Sequence, residues 1–229
     1  MRAAFAAGMA LAVLASCRTV QTRQDFTPVS DADFGRLGPD QLGPVGPARA
    51  DAAAAHDAVA RAKLRLQEAK REQGYAEADR TAAEADLQRA ATEAKGANSA
   101  GDTAWKARAQ ALADTAGLRR QAADAHLVFA KRLAEARQAD VDAAEAHADA
   151  AQARLEQAKL QALARAGIPA AGKYDARRFD AHLAKAVAAE REAQARAGET
   201  GRAAVAAEDG WRALQRRWEA RSQGRGGTG

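Results

Sequence analysis

The chain has 229 residues, with 35 Lys plus Arg against 30 Asp plus Glu, and 47% of it is hydrophobic while 4% is aromatic. Sixty-nine residues, about 30%, are alanine, so most of the apolar character is methyl groups and not large core-forming side chains. With 5 Phe, 3 Trp, 2 Tyr and 2 Met over this length, a single compact core with a moulded cleft is disfavoured, and with it most enzymes.

The N-terminus reads MRAAFAAGMALAVLASC: Arg2, an uncharged run from Ala3 to Ala15, then small residues and the one cysteine of the chain. This is the layout of a secretory signal, 1–16. The run is shorter than the roughly 20 apolar residues a membrane-spanning helix needs. Leu14, Ala15, Ser16 and Cys17 together resemble the lipobox of bacterial lipoproteins. The resemblance implies cleavage before Cys17 and transfer of a diacylglycerol group to its sulfur, followed by acylation of the new N-terminus. Several acyl chains on one residue make a lasting anchor where one chain would be marginal. In Gram-negative lipoproteins an aspartate after the lipidated cysteine favours retention in the inner membrane; Arg18 stands there in this chain. The expectation is an exported protein, anchored through Cys17 to the outer membrane and facing the periplasm.

Residues 17–48 carry the anchor and four of the five prolines, which reads as a flexible linker. Ser30 with Asp33 has the spacing to cap one short turn containing Phe34 and Leu37, and Phe26, Phe34 and Leu37 have the alternative of docking on a helix. From Ala48 the composition is that of helices, with no proline until Pro169. Apolar residues alternate at three-four spacing through Ala52, Ala55, Val59, Ala62, Leu66, Ala69, Gln73, Ala76, Arg80, Ala83, Leu87, Ala90 and Ala94, interrupted by Gln73 and Arg80. The first helix is expected over 49–95, stopped by the stretch Gly96 to Asp102, with Asp102 or Thr103 capping the next. The second, over 103–166, holds the same spacing in Leu118, Ala122, Ala125, Phe129, Ala136, Ala143 and Ala150, and ends at Gly167-Ile168-Pro169. The third, over 175–220, keeps its phase through Phe179, Leu183, Ala186, Glu190, Ala193, Ala197, Ala204, Trp211, Leu214 and Trp218, which predicts one continuous helix across Gly198 and Gly201. Residues 222–229 read as a disordered tail. The fold class is therefore all-α: two to three long antiparallel alanine-rich coiled-coil helices following a Pro-containing linker.

Chemistry-bearing patterns are sparse. His56, His126, His147 and His182 never fall three or four residues apart, and each reads as a solvated or helix-flanking histidine. No GxSxG motif, Walker loop or dinucleotide loop occurs, so no catalytic residue, cofactor or metal is expected. The mildly basic balance comes from arginines intermixed with acids, without an arginine block or stacking platform for nucleic acid. The C-terminal stretch places Trp211, Leu214 and Trp218 on one face, flanked by Arg212, Arg216 and Arg217. Such a face lies on an anionic membrane or envelope polymer, or its aromatics close the end of the bundle; the second reading is preferred.

The whole is similar in architecture and composition to the alanine-rich helical lipoproteins of Gram-negative envelopes, and more distantly to the major outer-membrane lipoprotein that tethers peptidoglycan. That protein is joined to the wall through a C-terminal lysine, whereas this chain has no lysine after Lys185. The function expected is that of an envelope spacer, scaffold or adaptor, with an envelope protein or peptidoglycan as partner and self-association open. The alternative is a helical-hairpin adaptor docking on an efflux or secretion complex.

Overall fold

A computed structural model describes residues 26–43 and 45–223. The signal segment, the lipobox with Cys17, and residues 224–229 lie outside them. All regular structure among the described residues is helical: α1 (Asp31–Phe34), a 3-10 turn (Pro39–Gln41), α2 (Val45–Ala100), α3 (Thr103–Arg165), a second 3-10 turn (Pro169–Lys173) and α4 (Ala176–Gln223). Antiparallel packing follows from the pairs that bridge the helices. Lys63 meets Glu145 while Arg80 meets Asp124, and Gln157 meets Asp180 while Arg221 meets Asp114.

The helix ends have local causes. Asp102 accepts hydrogen bonds from the Ala104 and Trp105 amides at 2.8 and 3.0 Å, satisfying two orphan donors of α3. At its other end Gly167 takes φ +66°, the Ile168 amide returns to the Leu163 carbonyl and the Gly167 amide to that of Ala164. That is a Schellman cap, and Pro169 follows it. α4 runs without a break across Gly198 and Gly201.

Two boundaries differ from expectation. α2 begins at Val45, not 49, because Pro47 falls in its first turn, where a missing N–H removes only a donor that had no partner. It also continues through Gly96 to Ala100, leaving a turn of Gly101 and Asp102 in place of a seven-residue loop. Gly101 supplies the left-handed conformation the turn requires, at φ +74°. Gly96 is retained in the helix since Ala97 beside it is fully buried and the ring of Trp105 lies against the glycine; a Cβ there would stand 3.2 Å from the indole.

In α2 the buried column is Ala55, Ala62, Ala69, Ala76, Ala83, Ala90 and Ala97, spaced strictly by seven. The alternate positions Val59, Leu66, Gln73, Arg80 and Ala94 are half-buried, and Leu87 is exposed. A column of methyls lets two backbones approach closely, and longer side chains then lie along its edges. α3 carries two such seams. Phe129 stacks on Trp211 of α4 while its neighbour Ala130 packs with Ala76 of α2. The seam expected in 103–166 is the one facing α4; a second, through Ala109, Ala116, Ala123, Ala130 and Ala151, serves α2. α2 and α4 flank α3 and hardly touch one another, so the three helices form a ribbon with α3 in the middle.

The large apolar side chains collect at one end, where α2 starts, α3 ends and α4 starts. There Leu155, Leu160, Leu163 and Phe179 are joined by Val29, Leu37 and Val45, with Phe26, Phe34 and Tyr174 around them. From Phe26 onward, then, the stretch read as linker is docked as a strap on this base. Ser30 caps α1 by accepting from the Asp33 amide at 3.1 Å, as its spacing suggests.

Candidate functional site

Three places in the ribbon bring polar and aromatic side chains together: the base, the middle of the shaft and the tip of the α2–α3 hairpin.

At the base, Glu156 is buried at 3% exposure on α3. One of its oxygens accepts the Val29 amide at 2.9 Å, and the other accepts from Lys159 at 2.7 Å and Gln152 at 3.2 Å. The strap amide is thus one of three donors that supply this buried carboxylate, the other two coming from α3 itself. The Tyr174 hydroxyl forms a second clasp: it accepts from the Ser30 amide and donates to Asp33 Oδ2, both at 2.9 Å, and Lys173 lies 3.6 Å from Asp33. Hydrogen bonds from Tyr174 and Ser30, helped by Lys173 and Arg36, outweigh desolvation and hold the Asp33 carboxyl below its usual range. Phe26 stacks on His182 at 4.2 Å and meets Phe179 edge-on at 4.6 Å.

Along the shaft, two basic side chains on α3 each bridge both neighbours. His126 Nε2 bonds Glu72 of α2 at 3.0 Å while its ring stacks on Trp211 of α4 at 4.3 Å. One heptad further, Arg119 pairs with Asp79 and Asp86 of α2 and lies 5.9 Å over the Trp218 ring of α4. Every member of the second step is displaced seven residues from its counterpart, Glu72 to Asp79, His126 to Arg119 and Trp211 to Trp218. The result is a two-rung ladder in which an acid, a basic side chain and an indole lock three helices at one level. Nearer the base, Glu190 of α4 is bound by His147 at 2.6 Å and Arg154 at 3.0 Å, both from α3. Burial pushes its carboxyl up, but these two hydrogen bonds more than offset that and hold it below the usual range.

The C-terminal cluster expected as an interface divides. Trp211, Leu214 and Trp218 are half-buried along α3, whereas Arg212, Arg216 and Arg217 are exposed. Arg217 with Arg221, Asp114, Gly117 and Leu118 lines a wide, shallow groove where the end of α4 leaves α3. Beyond Asp114, among the described residues, only α2 and α3 continue. At this tip the Trp105 indole N–H donates to Glu93 at 3.1 Å across the hairpin. Among the described residues, no three His, Cys, Asp or Glu side chains converge as metal ligands would.

Three of the histidines, read as solvated or helix-flanking, also meet a second element: His126, His147 and His182 all sit at contacts between elements. The seven-residue offsets of the ladder are present in the sequence and are visible once three helices are aligned antiparallel. Glu156 carries no such signal, because its partner is a backbone amide 127 residues away. Comparison with protein-family models, with curated proteins and with solved structures returns no match to this chain.

Proposed function

We propose that the protein is a lipid-anchored scaffold of the bacterial envelope, a spacer or adaptor without catalytic activity, held through Cys17 to the outer membrane on its periplasmic side. The observation that carries this reading is the polarity of the ribbon. The strap that leads from the anchor docks at the base, and the hairpin tip lies at the far end of α2, whose 56 residues span about 84 Å. An attachment at one end of a rod and a free hairpin at the other is the geometry of a spacer. Arg212, Arg216 and Arg217, exposed on the last turns of α4, are the proposed contact for an anionic envelope polymer or protein partner. Metabolic labelling with radioactive palmitate tests the anchor: the wild-type chain is labelled and fractionates with membranes, and Cys17→Ala does neither. Labelling failure, or membrane fractionation of Cys17→Ala, overturns it.

A second reading, an adaptor docking its hairpin on a trans-envelope efflux or secretion complex, is favoured by the two-helix tip with Trp105 at its edge. Isolation of the tagged protein from membranes distinguishes the two. Co-purification of an export complex that is lost in Trp105→Ala supports the adaptor; sedimentation with purified peptidoglycan, weakened in the Arg212, Arg216 and Arg217 alanine variant, supports the wall-side spacer.

A further inference from the structure

We infer that residues 26–43 form a latch that releases from the base while the three-helix ribbon stays folded, giving the tether between anchor and rod two lengths. The tether rests on the lipid anchor proposed above; the latch itself does not.

The strap and the ribbon are held by different contacts. α2, α3 and α4 share seams along most of their length, and α3 meets each neighbour independently of anything before residue 45. The strap has α1, one 3-10 turn and no long helix of its own, and it is fixed by side chains set along 18 residues: Val29 and Leu37 in the apolar cluster with Phe34 and Leu42 against it, Phe26 on Phe179 and His182, the Val29 amide on Glu156, and the Tyr174 and Lys173 contacts to Ser30 and Asp33. Few contacts per ordered residue is the condition for local opening well below the global unfolding free energy. The two polar clasps also have partners ready on release. Lys159 and Gln152 remain on Glu156, and Asp33 and Ser30 pass to water with the strap. Opening therefore leaves no unpaired charge in the base, and the apolar contacts set most of its cost.

The consequence is a change of reach. With the strap docked, the chain between Cys17 and Phe26 is residues 18–25, which span at most about 28 Å. With the strap released, residues 18–44 become tether, and the limit rises to about 95 Å. The rod then stands close to its membrane in one state and reaches well beyond it in the other, with no change in the helices that do the spanning.

Native-state amide hydrogen exchange on the protein purified from membranes tests this. The amides of Val29, Phe34, Leu37 and Leu42 should exchange at least about tenfold faster than those of the α3 seam from Ala123 to Ala151. Glu156→Gln should speed the strap amides by roughly another tenfold, the effect of weakening a hydrogen bond to a charged group, and Tyr174→Phe by several-fold, with the α3 amides unmoved in both. Exchange of strap and seam at one common rate, or equal acceleration of both in the variants, overturns the latch. Where Glu156→Gln fails to fold, Tyr174→Phe, which deletes one hydroxyl, carries the test. A chain that takes up no palmitate but shows separate strap exchange keeps the latch and loses the lipid tether.

Discussion

The base and the shaft of this ribbon solve the same packing problem with opposite materials. At the base, leucines, phenylalanines and a tyrosine interdigitate, and no shift of one element past another would restore their contacts. In the shaft, Ala55 to Ala97 repeat every seven residues against the alanines of α3, so a slip of one heptad would return methyl onto methyl. A methyl seam gives length without register. Register comes from the features that do not repeat, the base and the two-residue turn at Gly101 and Asp102, whereas the two rungs, themselves one heptad apart, tie the helices together without fixing their phase.

The contrast is breakable, and the two regions should fail in opposite directions. The largest effect belongs to the base. Leu163 is fully buried there, and Leu163→Ala should cost about 3 kcal/mol by leaving a cavity, read as a lower urea midpoint. In the shaft the damaging change is growth, not loss. Ala76→Leu should cost about 2 kcal/mol by forcing α2 off α3, where the reverse change of size would be minor. A melt in which Ala76→Leu is neutral would mean that the shaft is not closely packed.

The ion-paired part of the shaft is sharpened by acid. The Glu190 carboxyl is depressed in the folded protein, so its contribution is present above the ordinary carboxylate range and is lost as pH falls through the lowered value. Glu190→Gln should therefore flatten the acid limb of a plot of stability against pH, leaving Arg154 without its charge partner. An unchanged acid limb would contradict the pairing.

The smallest effects concern glycines within helices. Space is open around Gly117, so Gly117→Ala should stabilise by about 1 kcal/mol through helix propensity. Gly96→Ala should gain less, because the new methyl meets Trp105, and the missing gain should return when it is combined with Trp105→Ala. A double-mutant cycle by thermal melting measures that coupling.

Much of this was legible in the chain. Glycine followed by proline at 167–169 stops α3 where local rules place a Schellman cap, and unbroken phase across Gly198 and Gly201 marks α4 as one helix. Ser30 and Asp33 announce their turn. What local rules missed depends on tertiary partners. Gly96 reads as a breaker until Trp105 is laid over it. The second seam of α3 is hidden because alanine is so abundant that one complete series satisfies the search, and nothing in the sequence says that the helix serves two neighbours. The docking of the strap hangs on Glu156, an acid among thirty. The histidines looked idle for the same reason: His126 acquires its role from Glu72 and Trp211, which reach it only when three helices are in place.

The sharing of α3 by two neighbours that hardly meet has a mechanical consequence. Three helices of about 10 Å diameter laid side by side make a beam three units wide and one thick. Bending it within its plane would stretch one outer helix and compress the other, whereas bending it across that plane strains no seam along its length. The rod is therefore anisotropic, a flat spring that resists sideways load and yields in one direction.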